Sequence, residues 1–295
     1  MVKGFFSCQN GGKEALMAEI FECVNLRTPD GLNLYLRRDI PHRPRGIVVL
    51  LHSLGEHGGR YEAAAEKLST AGYAVYRFDF RGHGRSDGPR GDVQSFQDYL
   101  IDVDAAVEHA RKAFPALPLF LIGHSMGGLV AAAYAAEHPG SVDGEVTTGA
   151  AVRLMPALDF LKGCSRYSHG ERGDERFSFV MPYWQEGGEA AWQEDSFMLD
   201  SVTIRLAGRV WIQGADWFAP RMKDVTTPLF ILHGEEDCLV PPEASKWLYE
   251  GVSSQDRTLS LYPKHGHALL EEDSGILDDI AAWLDAHGRR EVPLG

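Results

Sequence analysis

Short apolar runs alternate with amphipathic segments along most of this chain, and no other feature limits its fold as strongly. GIVVLLH at 46–52, YAVYRFDF at 73–80, LPLFLIG at 117–123 and TPLFILHG at 227–234 are too short for buried helices. Their continuous apolar character fits strands covered on both faces, as in a parallel sheet. Between them lie helix-like segments: YEAAAEKLSTAG, SFQDYLIDVDAAVEHARKAF, MGGLVAAAYAAEH, PPEASKWLYEGV and DSGILDDIAAWLDAHG. VDGEVTTGAAV and RTLSLYP read as further strands. The runs EIFECVNLRT and LNLYLRRDI flank Pro29-Asp30-Gly31, a turn sequence, and predict an opening hairpin. The expected fold class is α/β: a mostly parallel, eight-stranded sheet flanked by helices.

The rhythm stops between 153 and 224. This block holds Phe160, Tyr167, Phe177, Phe179, Tyr183, Trp184, Trp192, Phe197, Trp211, Trp217 and Phe218 among Gly-rich and charged stretches. It is too long and too aromatic for a plain loop. We read residues 1–152 and 225–295 as the core, and 153–224 as a helical cap inserted where ligands bind such sheets. Most of its aromatics should form the cap's own core; Met155, Met181 and Met198 are adaptable wall candidates.

Composition narrows the function. The chain of 295 residues is 44% apolar, 24% charged, and carries a formal net charge of −13. So acidic a surface repels phosphate backbones, which argues against nucleic acid as a partner. No apolar run reaches spanning length, and the N-terminus lacks the apolar region of a secretory signal, so no stable membrane insertion and a cytoplasmic location are expected. Cys8, Cys23, Cys164 and Cys238 are scattered, giving neither a disulfide framework nor a metal site; reduced thiols, Cys238 buried and inert, are expected.

Gly123-His124-Ser125-Met126-Gly127 follows a strand and opens a helix. In that context G-x-S-x-G places a serine on a tight turn, with glycines where larger side chains would collide. A serine hydroxyl needs a base, and the base a carboxylate, in the chain order Ser, acid, His. Asp237 in LFILHGEEDCLVPPE is the favoured acid, with Glu235 and Glu236 as rivals. RTLSLYPKHGHALLEE offers His265 and His267 as the base. Backbone N–H groups of Leu54 and Met126 would hold an oxyanion, with His52 orienting the first of the two loops.

The blocks HSLGEHGGRY, RFDFRGHGRSDGPRG, LIGHSMGG, LHGEEDCLVP and YPKHGHALLEE resemble, in order and spacing, the α/β-hydrolase superfamily, and within it the monoacylglycerol lipase and lysophospholipase-like branch. The resemblance covers roughly residues 20 to 285. It implies Ser125 as nucleophile, Asp237 as acid and His267 as base, with cap helices shaping an acyl channel. It also implies that Glu56 and Arg60 help hold a polar head group. His124, beside the nucleophile, and Leu270, where some members have a second histidine, complete the candidate substrate-binding set. The chain departs from the usual His-Gly-x-Gly loop in having Ser53.

Other motifs give less. In RGHGRSDG the third glycine is one place late for a dinucleotide fingerprint and no helix follows; a structural turn with Asp79 and Arg81 as buried partners is expected. No zinc motif spans His52 to His57, so neither metal nor cofactor is expected. The expected reaction is acyl transfer on a small ester or lipid, a monoacylglycerol first. General carboxylesterase, lysophospholipase or aryl esterase activity is the alternative. A non-catalytic binding protein on the same fold is the alternative of another class, and the filled triad positions argue against it. Epoxide hydrolases and dehalogenases would need aspartate at 125.

Overall fold

The hairpin comes first: β1 (Ile20–Arg27) and β2 (Asn33–Ile40) pair antiparallel, Ile20 opposite Ile40. The structure, a computed structural model, describes residues 20–153, 174–178, 195–272 and 274–288. After the hairpin come β3 (Gly46–Leu51), α1 (Glu62–Thr70), β4 (Tyr73–Phe78), α2 (Gln97–Ala113), β5 (Leu119–His124), α3 (Met126–Glu137) and β6 (Gly144–Thr148). β7 (Arg176–Ser178) and β8 (Ser201–Thr203) make a separate small ladder. Ile204–Gly208, Arg209–Gly214, Ala215–Phe218 and Ala219–Asp224 follow as one helical run with a π-helical centre. β9 (Leu229–Gly234), α4 (Glu243–Gly251), β10 (Arg257–Tyr262), a short helix at Leu269–Glu272 and α5 (Ser274–His287) complete the fold.

The large sheet has eight strands in the order β1-β2-β4-β3-β5-β6-β9-β10. β2 meets β4 antiparallel; the pairs from β4 to β10 are parallel. The central strands are buried along their whole length, which is why their sequences are apolar without alternation. Their two faces nonetheless feed two cores. Ile47, Val49, Leu51, Leu121 and Ile231 join the core under α2, α3 and α4. Val48, Leu50, Phe120, Ile122 and Leu232 join the core under α1 and α5. Successive side chains on a strand point to opposite faces, so each run supplies both.

Helix α3 is buried from Met126 to Ala136. A helix apolar all round must be enclosed, and its alanines let neighbours approach closely. The described part of the 153–224 block packs beside it: Leu206, Val210, Trp211, Phe218 and Met222 belong to the same hydrophobic cluster as the sheet. Phe160, Tyr167, Phe179, Tyr183, Trp184 and Trp192, with Met155, Met181, Cys8, Cys164 and the side chain of Phe177, lie outside the described residues. Among the described residues no helix is long and apolar enough to cross a membrane.

Candidate active site

Ser125 stands between β5 and α3 with φ 53° and ψ −111°. A non-glycine residue at positive φ costs on the order of 1–3 kcal/mol, so its surroundings must hold it there. They do. The Ser125 N–H donates to the Thr148 carbonyl (2.9 Å), and the Ser125 carbonyl accepts from Leu129 (3.1 Å) and Ala151 (3.1 Å). The flanking glycines are obligatory by contact. A Cβ on Gly123 would stand 2.3 Å from the Gly127 carbonyl oxygen, and one on Gly127 would stand 2.2 Å from that of Leu51. The β5–α3 turn therefore fits only with glycine on both sides of the serine.

The loop after β3 carries the first expected oxyanion donor. His52 is fully buried, and its Nε2 accepts the Phe80 backbone N–H at 2.9 Å. The ring proton is therefore on Nδ1, which donates to the Ser53 carbonyl at 2.7 Å. That carbonyl and the Leu54 N–H belong to one planar peptide and point opposite ways. By holding the oxygen, His52 aims the Leu54 N–H. Burial pushes the His52 ring well below the usual histidine range, which keeps it neutral. Met126 opens α3, so its N–H has no acceptor within the helix.

His267 and Asp237 meet at the end of the sheet, Nδ1 to Oδ2, at 2.6 Å. The other carboxylate oxygen accepts the backbone N–H groups of Leu239 and Val240, each at 2.9 Å. Burial pushes the Asp237 carboxyl up, but donation by His233 and His267 more than reverses this and holds it well below the usual range. Glu235 and Glu236 are exposed. The His265 Nδ1 lies 2.9 Å from the Pro263 carbonyl oxygen, with which it hydrogen-bonds. The structure thus brings Asp237 and His267 together and leaves the rival carboxylates in solvent.

Other expected residues are placed differently. Glu56 is buried and accepts from the Tyr61 hydroxyl and, at 3.3 Å, from the Ser53 N–H, so it braces the loop after β3. Arg60 forms an ion pair with Glu271 at 2.7 Å, tying that loop to the segment after His267. Leu270 is buried in the α1–α5 core with Tyr61 and Ile276, because the short helix after His267 turns its apolar residues inward. His124 lies behind the base, its ring 4.6 Å from that of His267 and its Nδ1 2.9 Å from the Thr148 hydroxyl. Burial and the neighbouring His267 push His124 down to about 3, so it is neutral. Cys238 is exposed rather than buried, because the Asp237 carboxylate turns inward and its neighbour outward. Asp79 and Arg81 are buried with different partners: Asp79 accepts from Gly58 and Arg85 N–H groups, and Arg81 pairs with Asp102 and Asp30.

Two contributors escaped the sequence reading. Gly149 adopts φ 52° and packs on the acid–base pair: a Cβ there would stand 3.1 Å from His267 Nδ1 and 3.3 Å from Asp237 Oδ2. His233 approaches Asp237 Oδ2 at 3.1 Å from β9. Its signal was a polar residue inside an otherwise apolar strand. Segment 195–199 covers the oxyanion loop: Leu199 N–H donates to the Gly55 carbonyl (2.8 Å), and His57 Nε2 pairs with Asp195 (2.8 Å). Met198 in this segment is buried. A groove of about 390 Å³ opens beside the chain leaving β6, lined by Val152, Arg153, Trp211, Ile212 and Trp247. Among the described residues no cluster of ligands could hold a metal ion.

The family model for "Serine aminopeptidase, S33" matches residues 42–274, most of the chain. The chain belongs to this family. It is a serine hydrolase of the α/β-hydrolase fold. Among curated relatives, a monoacylglycerol lipase of Mycolicibacterium smegmatis is 32% identical, over 83% of this chain and 89% of the relative. A phospholipase of Bacillus subtilis is 30% identical, over 78% of this chain and 90% of the relative. A solved monoacylglycerol lipase from Paleococcus ferrophilus superposes with a TM-score of 0.76 at 28% identity, covering 86% of this chain and 99% of that one.

Proposed function

We propose that this hydrolase cleaves single-chain carboxylic esters, monoacylglycerols first, through an acyl-enzyme on Ser125. The observation that carries the reading is the buried 2.6 Å pairing of His267 with Asp237, beside a serine held at φ 53°. His267 removes the Ser125 proton as the hydroxyl attacks the ester carbonyl. The N–H groups of Leu54 and Met126 take the developing negative charge. His267 then protonates the leaving alcohol and activates the water that releases the acid. Asp237 stays ionised throughout, in keeping with its lowered pKa. Residues 153–224 act as the cap, with the groove between Trp211 and Trp247, which Arg153 and Asp216 also line, as acyl-binding surface.

The lipid assignment draws on the monoacylglycerol lipases of M. smegmatis and P. ferrophilus. The phospholipase relative and Arg153 at the groove favour a second reading, a lysophospholipid substrate. Hydrolysis of monoacylglycerols, lysophosphatidylcholine and p-nitrophenyl esters of rising chain length separates them. Ser125→Ala should lower every rate by roughly 10³-fold or more. Preference for long-chain monoacylglycerol supports the first reading. Preference for lysophosphatidylcholine supports the second, and activity that survives in Ser125→Ala refutes the mechanism.

A further inference from the structure

We propose that His233 is a positioning residue for the acid of the triad, the middle of a hydrogen-bonded chain running from Ser245 through His233 and Asp237 to His267. The inference rests on the site assignment above and adds a group to it.

The geometry fixes the protons. His233 is fully buried on β9. Its Nε2 lies 2.8 Å from the Val240 carbonyl oxygen and 3.1 Å from Asp237 Oδ2. Both are acceptors at neutral pH, so the ring proton sits on Nε2 and is shared between them. Nδ1 is then an acceptor, and the Ser245 hydroxyl, 2.6 Å away and buried on α4, must donate to it. Ser245 thereby selects the one neutral tautomer of His233 that can face the carboxylate. Oδ2 of Asp237 accepts the His267 N–H at 2.6 Å, and His233 Nε2, whose N–H is hydrogen-bonded to the Val240 oxygen, faces the same Oδ2 at 3.1 Å.

The arrangement has a reason. The Asp237 side chain has no solvent exposure, so no bulk water neutralises its charge. A buried carboxylate needs donors, and leaving one unmet is costly. Two backbone N–H groups satisfy Oδ1, but Oδ2 has only the histidines among the described residues. The His233 N–H also separates two acceptors, Asp237 Oδ2 and the Val240 oxygen, that would repel across the same gap. Without it the carboxylate turns or draws more strongly on His267. Drawing more strongly raises the basicity of His267, and turning loses its alignment with Ser125.

The other charged and titratable groups around the pair leave this assignment intact. His124, packed on His267 from the end of β5, is neutral. Glu235 and Glu236 on the same loop face solvent, and Glu271 after His267 is paired with Arg60.

The test uses the full chain, a soluble p-nitrophenyl ester, and kcat and KM from about pH 5 to about pH 9. His233→Leu removes the donor and should lower kcat about tenfold or more with KM little changed. The acidic limb of the pH profile should move upward by about half a pH unit or more, because His267 becomes more basic. His233→Gln returns an N–H to the position of Nε2 and should restore both. Ser245→Ala should give a smaller change of the same sign. A His233→Leu enzyme with the parent kcat and acidic limb overturns the inference. So does a loss of kcat that leaves the limb in place and is not rescued by Gln, since that is what a merely structural role produces. Asp237→Asn distinguishes the two levels: if it is inactive while His233→Leu is unaffected, the inference alone fails. An active Asp237→Asn overturns the site assignment and the inference with it.

Discussion

At the residue scale, single atoms decide the geometry of the Asp237–His267 pair. Gly149 occupies a left-handed φ of 52°, and a methyl group there would press on His267 and Asp237 at 3.1 and 3.3 Å. Gly149→Ala should lower kcat by roughly tenfold or more while KM changes little, because a shift of a few tenths of an ångström at the base is felt in the transition state. The same substitution should cost about 1–2 kcal/mol of stability from backbone strain. Stopped-assay kinetics and a thermal melt read the two effects separately. A Gly149→Ala enzyme with the parent kcat would show that the pair tolerates displacement. Glu56 and Arg60 make the complementary point. The family resemblance implies a head-group role for both, and in the structure their side chains pair with Tyr61 and Glu271. Tyr61 is five residues from Glu56, whereas Glu271 is brought to Arg60 by folding.

At the element scale, the loop after β3 depends on a segment far away in sequence. Residues 195–199 hold it by the Leu199–Gly55 hydrogen bond and the His57–Asp195 pair, and the Arg90 guanidinium gathers the Phe197 carbonyl at 2.8 Å. Burial raises the Asp195 carboxyl, but donation from His57 and the Phe197 N–H together outweighs it and leaves it below 3.8. A carboxylate depressed in the folded state stabilises above its unfolded pKa and loses that contribution as pH falls through the folded one. The brace should therefore hold at neutral pH and loosen in acid. Hydrogen exchange of the Leu199 amide should accelerate, relative to the strand amides, as pH drops below the ordinary aspartate range. Asp195→Asn should show the faster exchange already at neutral pH. Equal protection in both proteins would mean that the backbone bond alone suffices.

At the scale of the whole molecule, Glu145 is the odd residue. It sits fully buried on β6 between Leu121 and Leu229, and neither carboxylate oxygen has a partner among the described residues. Burial pushes it from 4.5 up to about 8. The folded chain therefore keeps a proton that the unfolded chain releases. Stability associated with Glu145 is fully present below 4.5, falls as pH rises, and levels off above about 8. The drop is of the order of 3–5 kcal/mol at most. Urea unfolding of the parent and Glu145→Gln across this range should show a difference that grows with pH in favour of Gln. A pH-independent difference would mean that Glu145 ionises freely.

The sequence by itself determined the alternation of strands and helices, the turn that carries Ser125, and the order of the Asp237 and His267 loops. Each is written locally: apolar runs of strand length, glycines flanking one serine, loops at strand ends. In a parallel sheet those loops converge on one edge, so Ser125, Asp237 and the loop of His265 and His267 were candidates on local grounds, while preferring His267 rested on the family resemblance. What only tertiary structure decided is where side chains turn once converged. His233 joins Asp237 from a neighbouring strand position, Gly149 packs on the pair from β6, and Glu56 and Leu270 turn inward. Some of these choices join neighbours in the chain and others segments far apart, but all are set by burial, under which most polar groups find a partner. One sequence pattern cannot encode the identity of a neighbour that folding alone supplies.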